Sequence, residues 1–156
     1  MKRIAKFEKV SEAQFIKDGG RNYDLLLLPQ RATSGSAGYD FYSFDDIVIP
    51  SHSEILFPTG IRAKISDGWV LCIFPRSGLG FKFGISLKNT VGVIDSDYYF
   101  AQNEGHIMVK LVNPSDCDVL ISCGKAYAQG IFMPFGITED DESSESRSGG
   151  FGSTDK

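Results

Sequence analysis

Beyond residue 20 no stretch of this chain keeps a helical spacing of apolar residues, and turn-forming residues interrupt it every few positions. Short apolar runs stand between the turns: residues 25–28, which Pro29 ends, then 47–49, 55–57, 69–74, 107–112 and 128–132. Several alternate apolar with polar residues, as a strand with one buried face does. Gly, Pro, Asn, Asp and Ser fill the gaps, and seventeen glycines suit a fold with many tight turns. Short strands at short intervals predict an all-β sandwich, jelly roll or barrel and argue against an alternating α/β order.

One short helix is predicted near the start. Ser11 with Gln14 three residues later forms a capping box, Val10 and Phe15 flank it as a hydrophobic staple, and Gly19-Gly20 stops it. The 156 residues fit one domain, expected over 1–135. From Gly136 the text ITEDDESSESRSGGFGSTDK has few large apolar residues and clustered acids, so 136–156 is expected to be a flexible tail. Arg147 and Phe151, set among glycines there, are a cation and an aromatic on pliant backbone, suited to closing over a phosphate-bearing ring.

Composition narrows the chemistry. Three cysteines, Cys72, Cys117 and Cys123, form no close pair and read as reduced, small apolar residues. Neither His52 nor His106 stands in a metal-binding spacing, which sets aside zinc chemistry and a Ser-His-Asp hydrolase. A net charge of −4 argues against direct nucleic-acid binding. No apolar run approaches the roughly 18 residues of a membrane span, and no signal core follows the basic start, so a cytoplasmic location is expected. An acidic chain can still hold a small polyanion where backbone amides, a few arginines and a divalent cation gather.

Four segments have such potential, and each taken singly stays open. PRSGLGFKFG, from Pro75 to Gly84, offers Arg76, Lys82, Ser77 and the glycines Gly78 and Gly80. Its spacing is not that of a P-loop, and it reads as strand–loop–strand, a glycine-rich hairpin or an anion cradle. In NTVGVIDSDYY, Asp95 and Asp97 are two apart and in extended backbone point to one side, where they would order a water or merely shape a turn. Tyr98 beside them would pack on a sugar or fill core. In ATSGSAGYDFYS, Asp40 would hold a metal-bound water or cap a turn. Gln129 is a polar residue in an apolar strand, with a backbone role and a ligand role both open.

Their order is more informative. SAGYD, PRSGLG, NTVGVIDSDY, AYAQ and RSGGFGST, in succession from Ala32 to Thr154, resemble the five motifs of the trimeric dUTPase family. The resemblance implies a jelly-roll-like subunit, a homotrimer whose active sites are shared between subunits, and Mg²⁺-assisted conversion of dUTP to dUMP and pyrophosphate. It matches Asp95 to the base that activates water for attack on the α-phosphorus, and Asn89 with the backbone of Gly92, Val93 and Ile94 to the uracil-reading hairpin. Tyr98 matches the tyrosine beneath the deoxyribose, and Arg76, Ser77, Gly78 and Gln129 match phosphate contacts. Asp40 matches the aspartate that reaches Mg²⁺ through water. In the tail Arg147 matches the γ-phosphate arginine and Phe151 the aromatic that stacks on uracil, with Gly152 and Ser153 in the same substrate-binding motif.

The chain departs from the family pattern after DSDY, where YFAQNEGH replaces a short arginine-glycine turn. Residues 100–104 read as an insertion that, with QGIF after the fourth motif, resembles phage-type dUTPases. Lys125 and Ala126 replace a more usual acid and arginine. A dCTP deaminase-type enzyme would share the fold and the nucleotide, but the hairpin matches uracil readers. The insertion and the acidic stretch 139–145 also fit a second role, a nucleotide-gated contact with a regulatory protein partner.

Overall fold

The structure, a computed structural model, describes residues 2–143. Eleven strands carry it: β1 Ala5–Lys9, β2 Tyr39–Tyr42, β3 Ile47–Ile49, β4 Ser53–Pro58, β5 Ile61–Ile65, β6 Trp69–Pro75, β7 Ser86–Leu87, β8 Gly92–Ile94, β9 Met108–Asn113, β10 Val119–Ile121 and β11 Ala126–Pro134. Helices α1, Glu12–Lys17, and α2, Ser77–Phe83, are short, and 3₁₀ turns span Tyr23–Leu25 and Ser96–Phe100. The sheets are all antiparallel where paired, in the orders β2-β11-β6-β8, β4-β9-β7, β1-β5 and β10-β3. The all-β, jelly-roll-like fold with a short N-terminal helix is therefore present. No helix among the described residues is long and apolar enough to cross a membrane.

Period-2 burial explains the pairing. Along β9 the burial alternates strictly, with Val109, Leu111 and Asn113 inside, and β5 buries Ile61, Ala63 and Ile65 in the same way. These faces meet in one core in which Phe15, Phe44, Phe57 and Tyr127 form a chain of ring contacts 4.7–5.0 Å apart. Asn113 is buried yet satisfied, its amide donating to the carbonyls of Ile49, Pro50 and Cys117.

Helix α1 starts where expected: the Gln14 amide donates to Ser11 Oγ at 3.1 Å, and Val10 and Phe15 are both buried. The other half of the capping box is different. The Ser11 amide donates to Glu104 Oε2 at 2.8 Å, and the Gln14 side chain turns instead to Asp18 at 2.7 Å. At the far end a Cβ on Gly20 would lie 2.4 Å from the Phe15 ring, so the second glycine is needed for packing as well as for the stop.

Two expected strands are overturned. Residues 25–28 form no strand; Leu25 closes a 3₁₀ turn, only Leu26 is buried, and Leu25, Leu27 and Leu28 are exposed. The segment after β6 is a helix rather than a second strand. Leu79 and Phe83, four apart, pack against the core, and Gly84 in the left-handed region ends the helix with bonds from Gly84 to Gly80 and from Ile85 to Leu79. The two interior glycines obscured that periodicity.

Candidate active site

The convergence of Asp40, Arg76 and Gln129 in space follows from strand order. Residue Gln129 on β11 stands opposite Asp40 on β2 and opposite Phe74 on β6, so three distant segments converge at one end of the sheet. There Arg76 Nη1 donates to Asp40 Oδ1 at 2.6 Å, an ion pair between a buried carboxylate and a partly exposed guanidinium. The Gln129 amide donates to the Pro75 carbonyl at 3.3 Å, and its Oε1 lies where a Cβ on Gly38 would be only 2.7 Å away. Gly38 is thus fixed by close approach of the amide. Ser77 and Gly78 open α2 just beyond Arg76. First-turn amides have no intrahelical acceptor, so their N–H groups point outward beside a guanidinium, and the space before Gly78 is open. This cluster suits a polyanion.

The other predicted residues sit elsewhere. Gly92, Val93 and Ile94 form β8, the edge of the four-stranded sheet, opposite Ile73, Cys72 and Leu71. An edge strand leaves a row of backbone donors and acceptors unpaired by its own sheet, which is what reading a base edge with main-chain groups needs. Asn89 lies in the turn before it, where Thr90 adopts φ 66°. The cleft formed by Asn89, Gly92, Val93 and Ile94 with Ile73 and Met108 is about 30 Å³, room for a water or two and not a pyrimidine. A base would have to lie against the outer edge of the hairpin. A roomier cleft, about 790 Å³, opens between β1 and the loop before β2, lined by Lys2, Arg3, Arg31, Tyr39 and Phe132, and contains none of the predicted site residues.

Asp95 follows β8 in extended backbone, at the position just before the 3₁₀ turn Ser96–Phe100. Asp97 is therefore inside a helical turn, and the expectation that the two carboxylates share one side of an extended strand is corrected. Asp95 stands close enough to Cys72 that its charge, after burial, raises the thiol's pKa. Tyr98 is 3% exposed, and its hydroxyl donates to the His106 carbonyl at 2.8 Å. Residues Arg147, Phe151, Gly152 and Ser153 lie outside the described residues.

These residues form two groups, and one chain holds them apart. Ile94 pairs with Leu71, so Asp95 comes level with Val70, whereas Arg76 follows Pro75 at the other end of β6. At ~3.3 Å per residue that separation is about 20 Å. Sequence reasoning named both groups but not the distance between them, and it missed the Asp40–Arg76 ion pair, whose partners are 36 residues apart. No group of three or more His, Cys, Asp or Glu side chains arranged for a metal ion exists among the described residues.

The dUTPase family model matches residues 26–155. The chain is 40% identical over 155 residues to the deoxyuridine 5'-triphosphate nucleotidohydrolase of Lactococcus lactis subsp. lactis, covering 97% of this chain and 98% of that relative. The crystal structure of dUTPase from Streptococcus mutans superposes with a TM-score of 0.69 at 36% identity, covering 85% of this chain and 98% of the other. A dUTPase from phage phi11 of S. aureus, described with its species-specific insert, superposes with a TM-score of 0.69 at 19% identity over 94% of this chain and 99% of its own, a likeness of fold alone. A family match over most of the chain, together with a relative at this identity over nearly all of it, establishes that the chain belongs to the dUTPase family, the hydrolases of dUTP.

Proposed function

We propose that the chain converts dUTP to dUMP and pyrophosphate in sites built between copies, with Asp95 as general base for water attack on the α-phosphorus. The observation that carries this reading is that Asp95 and Arg76 lie at opposite ends of β6, about 20 Å apart along the strand at ~3.3 Å per residue. A base must lie about 3 Å from the water it activates, and an arginine must touch the same triphosphate, so one chain does not hold both at one reacting centre. A second copy, presenting its Asp40–Arg76–Gln129 end beside the β8 hairpin of the first, closes that gap, and a homotrimer does so three times with one contact repeated.

In this site Asn89 and the backbone of Gly92–Ile94 select uracil. Cytosine exchanges donor for acceptor at the same edge and leaves main-chain groups unpaired. Tyr98 forms the wall beneath the deoxyribose and rejects a 2'-hydroxyl. Arg76, the amides of Ser77 and Gly78, and Gln129 hold the phosphates, positioning and neutralising charge that phosphoryl chemistry spreads over the oxygens. From the tail, Arg147 meets the γ-phosphate and Phe151, with Gly152 and Ser153, covers the base.

Asp40 suits the Mg²⁺ that the family implies. A hard cation on triphosphate keeps most of its waters and needs one or two carboxylates nearby. Asp40 presents a carboxylate whose Oδ1 already faces a cation, Arg76, within the phosphate-binding cluster. When bound, Mg²⁺ supplies charge neutralisation at the phosphate oxygens, and Asp40 orients its water shell. Pyrophosphate release measured across dUTP, dCTP, dTTP and UTP tests the whole reading. Turnover confined to dUTP supports it, whereas ammonia release from dCTP would place the chain with the deaminases.

A further inference from the structure

The segment from Tyr99 to His106, which contains the insertion, is not a free loop. Tyr99 Oη donates to Glu8 Oε2 on β1 at 2.6 Å, and Arg62 of β5 lies 4.4 Å over the Tyr99 ring. Bonds from Lys6 and Tyr99 hold the Glu8 carboxyl down at about 2. Glu104, at φ 60°, accepts from both the amide and the hydroxyl of Ser11 and so caps α1. At the other end of α1, Asp18 Oδ2 bonds His106 Nδ1 at 2.6 Å. The segment is pinned at both ends of one helix.

Between those pins lies a polar network around Tyr98. The tyrosine hydroxyl donates to the His106 carbonyl at 2.8 Å and accepts from Asn103 Nδ2 at 2.8 Å. Asn103 Nδ2 also donates to the His106 carbonyl at 3.3 Å. The amide must present its nitrogen here, because the reversed amide would set Oδ1 against that carbonyl. The residue that carries this carbonyl is anchored through its ring. His106 is 0% exposed, and its Nε2 accepts the Gly60 amide at 2.8 Å while Nδ1 faces Asp18. Gly105 permits the close fold, since a Cβ there would lie 2.7 Å from Tyr99 Cα and 2.8 Å from the Tyr98 carbonyl.

We propose that Asn103 and His106 are positioning residues for sugar discrimination, fixing the Tyr98 hydroxyl and with it the ring wall that the deoxyribose meets. The inference rests on the reading of Tyr98 as that wall. Rejecting a 2'-hydroxyl requires a wall that does not yield by a fraction of an ångström. A tyrosine held at its hydroxyl by one donor and one acceptor cannot tilt without breaking both bonds. The insertion replaces a short turn at this point of the family pattern and delivers the donor.

The test is a double-mutant cycle on the assembled full-length enzyme with Asn103→Leu, which removes the donor at similar volume, and Tyr98→Phe, which removes its target. The readouts are kcat and KM for dUTP and for UTP. Asn103→Leu lowers the ratio of dUTP to UTP efficiency by about tenfold, the scale of one lost hydrogen bond, chiefly through improved use of UTP, with kcat for dUTP within about twofold. Tyr98→Phe lowers it similarly, and Asn103→Leu adds nothing further in the Tyr98→Phe background. Should the leucine variant lose its fold, Asn103→Ser, too short to reach the hydroxyl, serves in its place. An unchanged ratio in the Asn103 variant alongside a reduced one in Tyr98→Phe overturns the proposal while leaving Tyr98 as the wall. Additive losses also overturn it. If neither Tyr98→Phe nor Tyr98→Ala moves the ratio, the underlying reading of Tyr98 fails and the proposal with it.

Discussion

Two inactive variants should restore each other when their chains assemble together. One is Asp95→Asn, which cannot take a proton. The other is Asp40→Asn with Arg76→Met, which removes the phosphate end of the site. Both members of the ion pair are changed because removing only the arginine would strand a carboxylate that is 6% exposed. The two lesions lie about 20 Å apart along β6, too far to belong to one site in one chain. If each site takes Asp95 from one copy and Arg76 from the next, equal random mixing leaves about one quarter of sites with both residues intact, because every mixed trimer has one such site and the pure trimers none. Co-expression at equal levels, native mass spectrometry to count mixed trimers, and pyrophosphate release per site measure this. Activity near one quarter of the unaltered enzyme is expected. Mixed trimers with no activity above the parents would refute sharing between copies, and a monomeric enzyme with full activity would refute it more directly.

Asp95→Asn alone should cut turnover by about 10²–10⁴ while a non-hydrolysable dUTP analogue binds within a few fold, checked by calorimetry. Near-normal turnover removes Asp95 from the role of base. Gly105→Ala should destabilise the fold by about 2 kcal/mol or more, because φ is 70° and the new Cβ meets backbone, lowering Tm by roughly 4–8 °C in a thermal melt. Burial, only partly offset by the bond to Asp18, holds the His106 pKa below its ordinary 6.5. The neutral ring is the folded form, so this contribution is complete above about pH 6.5 and is lost as pH falls below it, the unfolded chain binding the proton first. Asp18 and Glu104 face the ring, and Arg62 acts on Glu104. A melt series from pH 8 to pH 5.5 should show Tm falling on the acid side, with a flatter slope in His106→Asn. Truncation after Ser146 should leave that Tm nearly unchanged, since β11 ends at Pro134, and abolish turnover. Full activity in the truncated enzyme would make the glycine-rich end dispensable.

Local chemistry was legible in the linear chain. Ser11, Gln14, Val10 and Phe15 lie within one turn of each other, so sequence spacing fixed the start of α1, and the period-2 pattern fixed strands such as β9 and the core of β6. The order of the five motifs identified the chemistry because each motif is itself local. Segments with weak or interrupted periodicity misled. The run 25–28 has the apolar content of a strand but no neighbour to pair with, and the glycines of α2 masked the 79/83 stripe. What only the tertiary structure decided are pairings between residues far apart in sequence: Arg76 with Asp40, Glu104 with Ser11, and His106 with Asp18 and Gly60. Such contacts depend on which strands become neighbours, and strand order is a property of the whole core. The same strand order sets Asp95 and Arg76 at opposite ends of β6, because antiparallel register carries β8 one way as β6 runs the other.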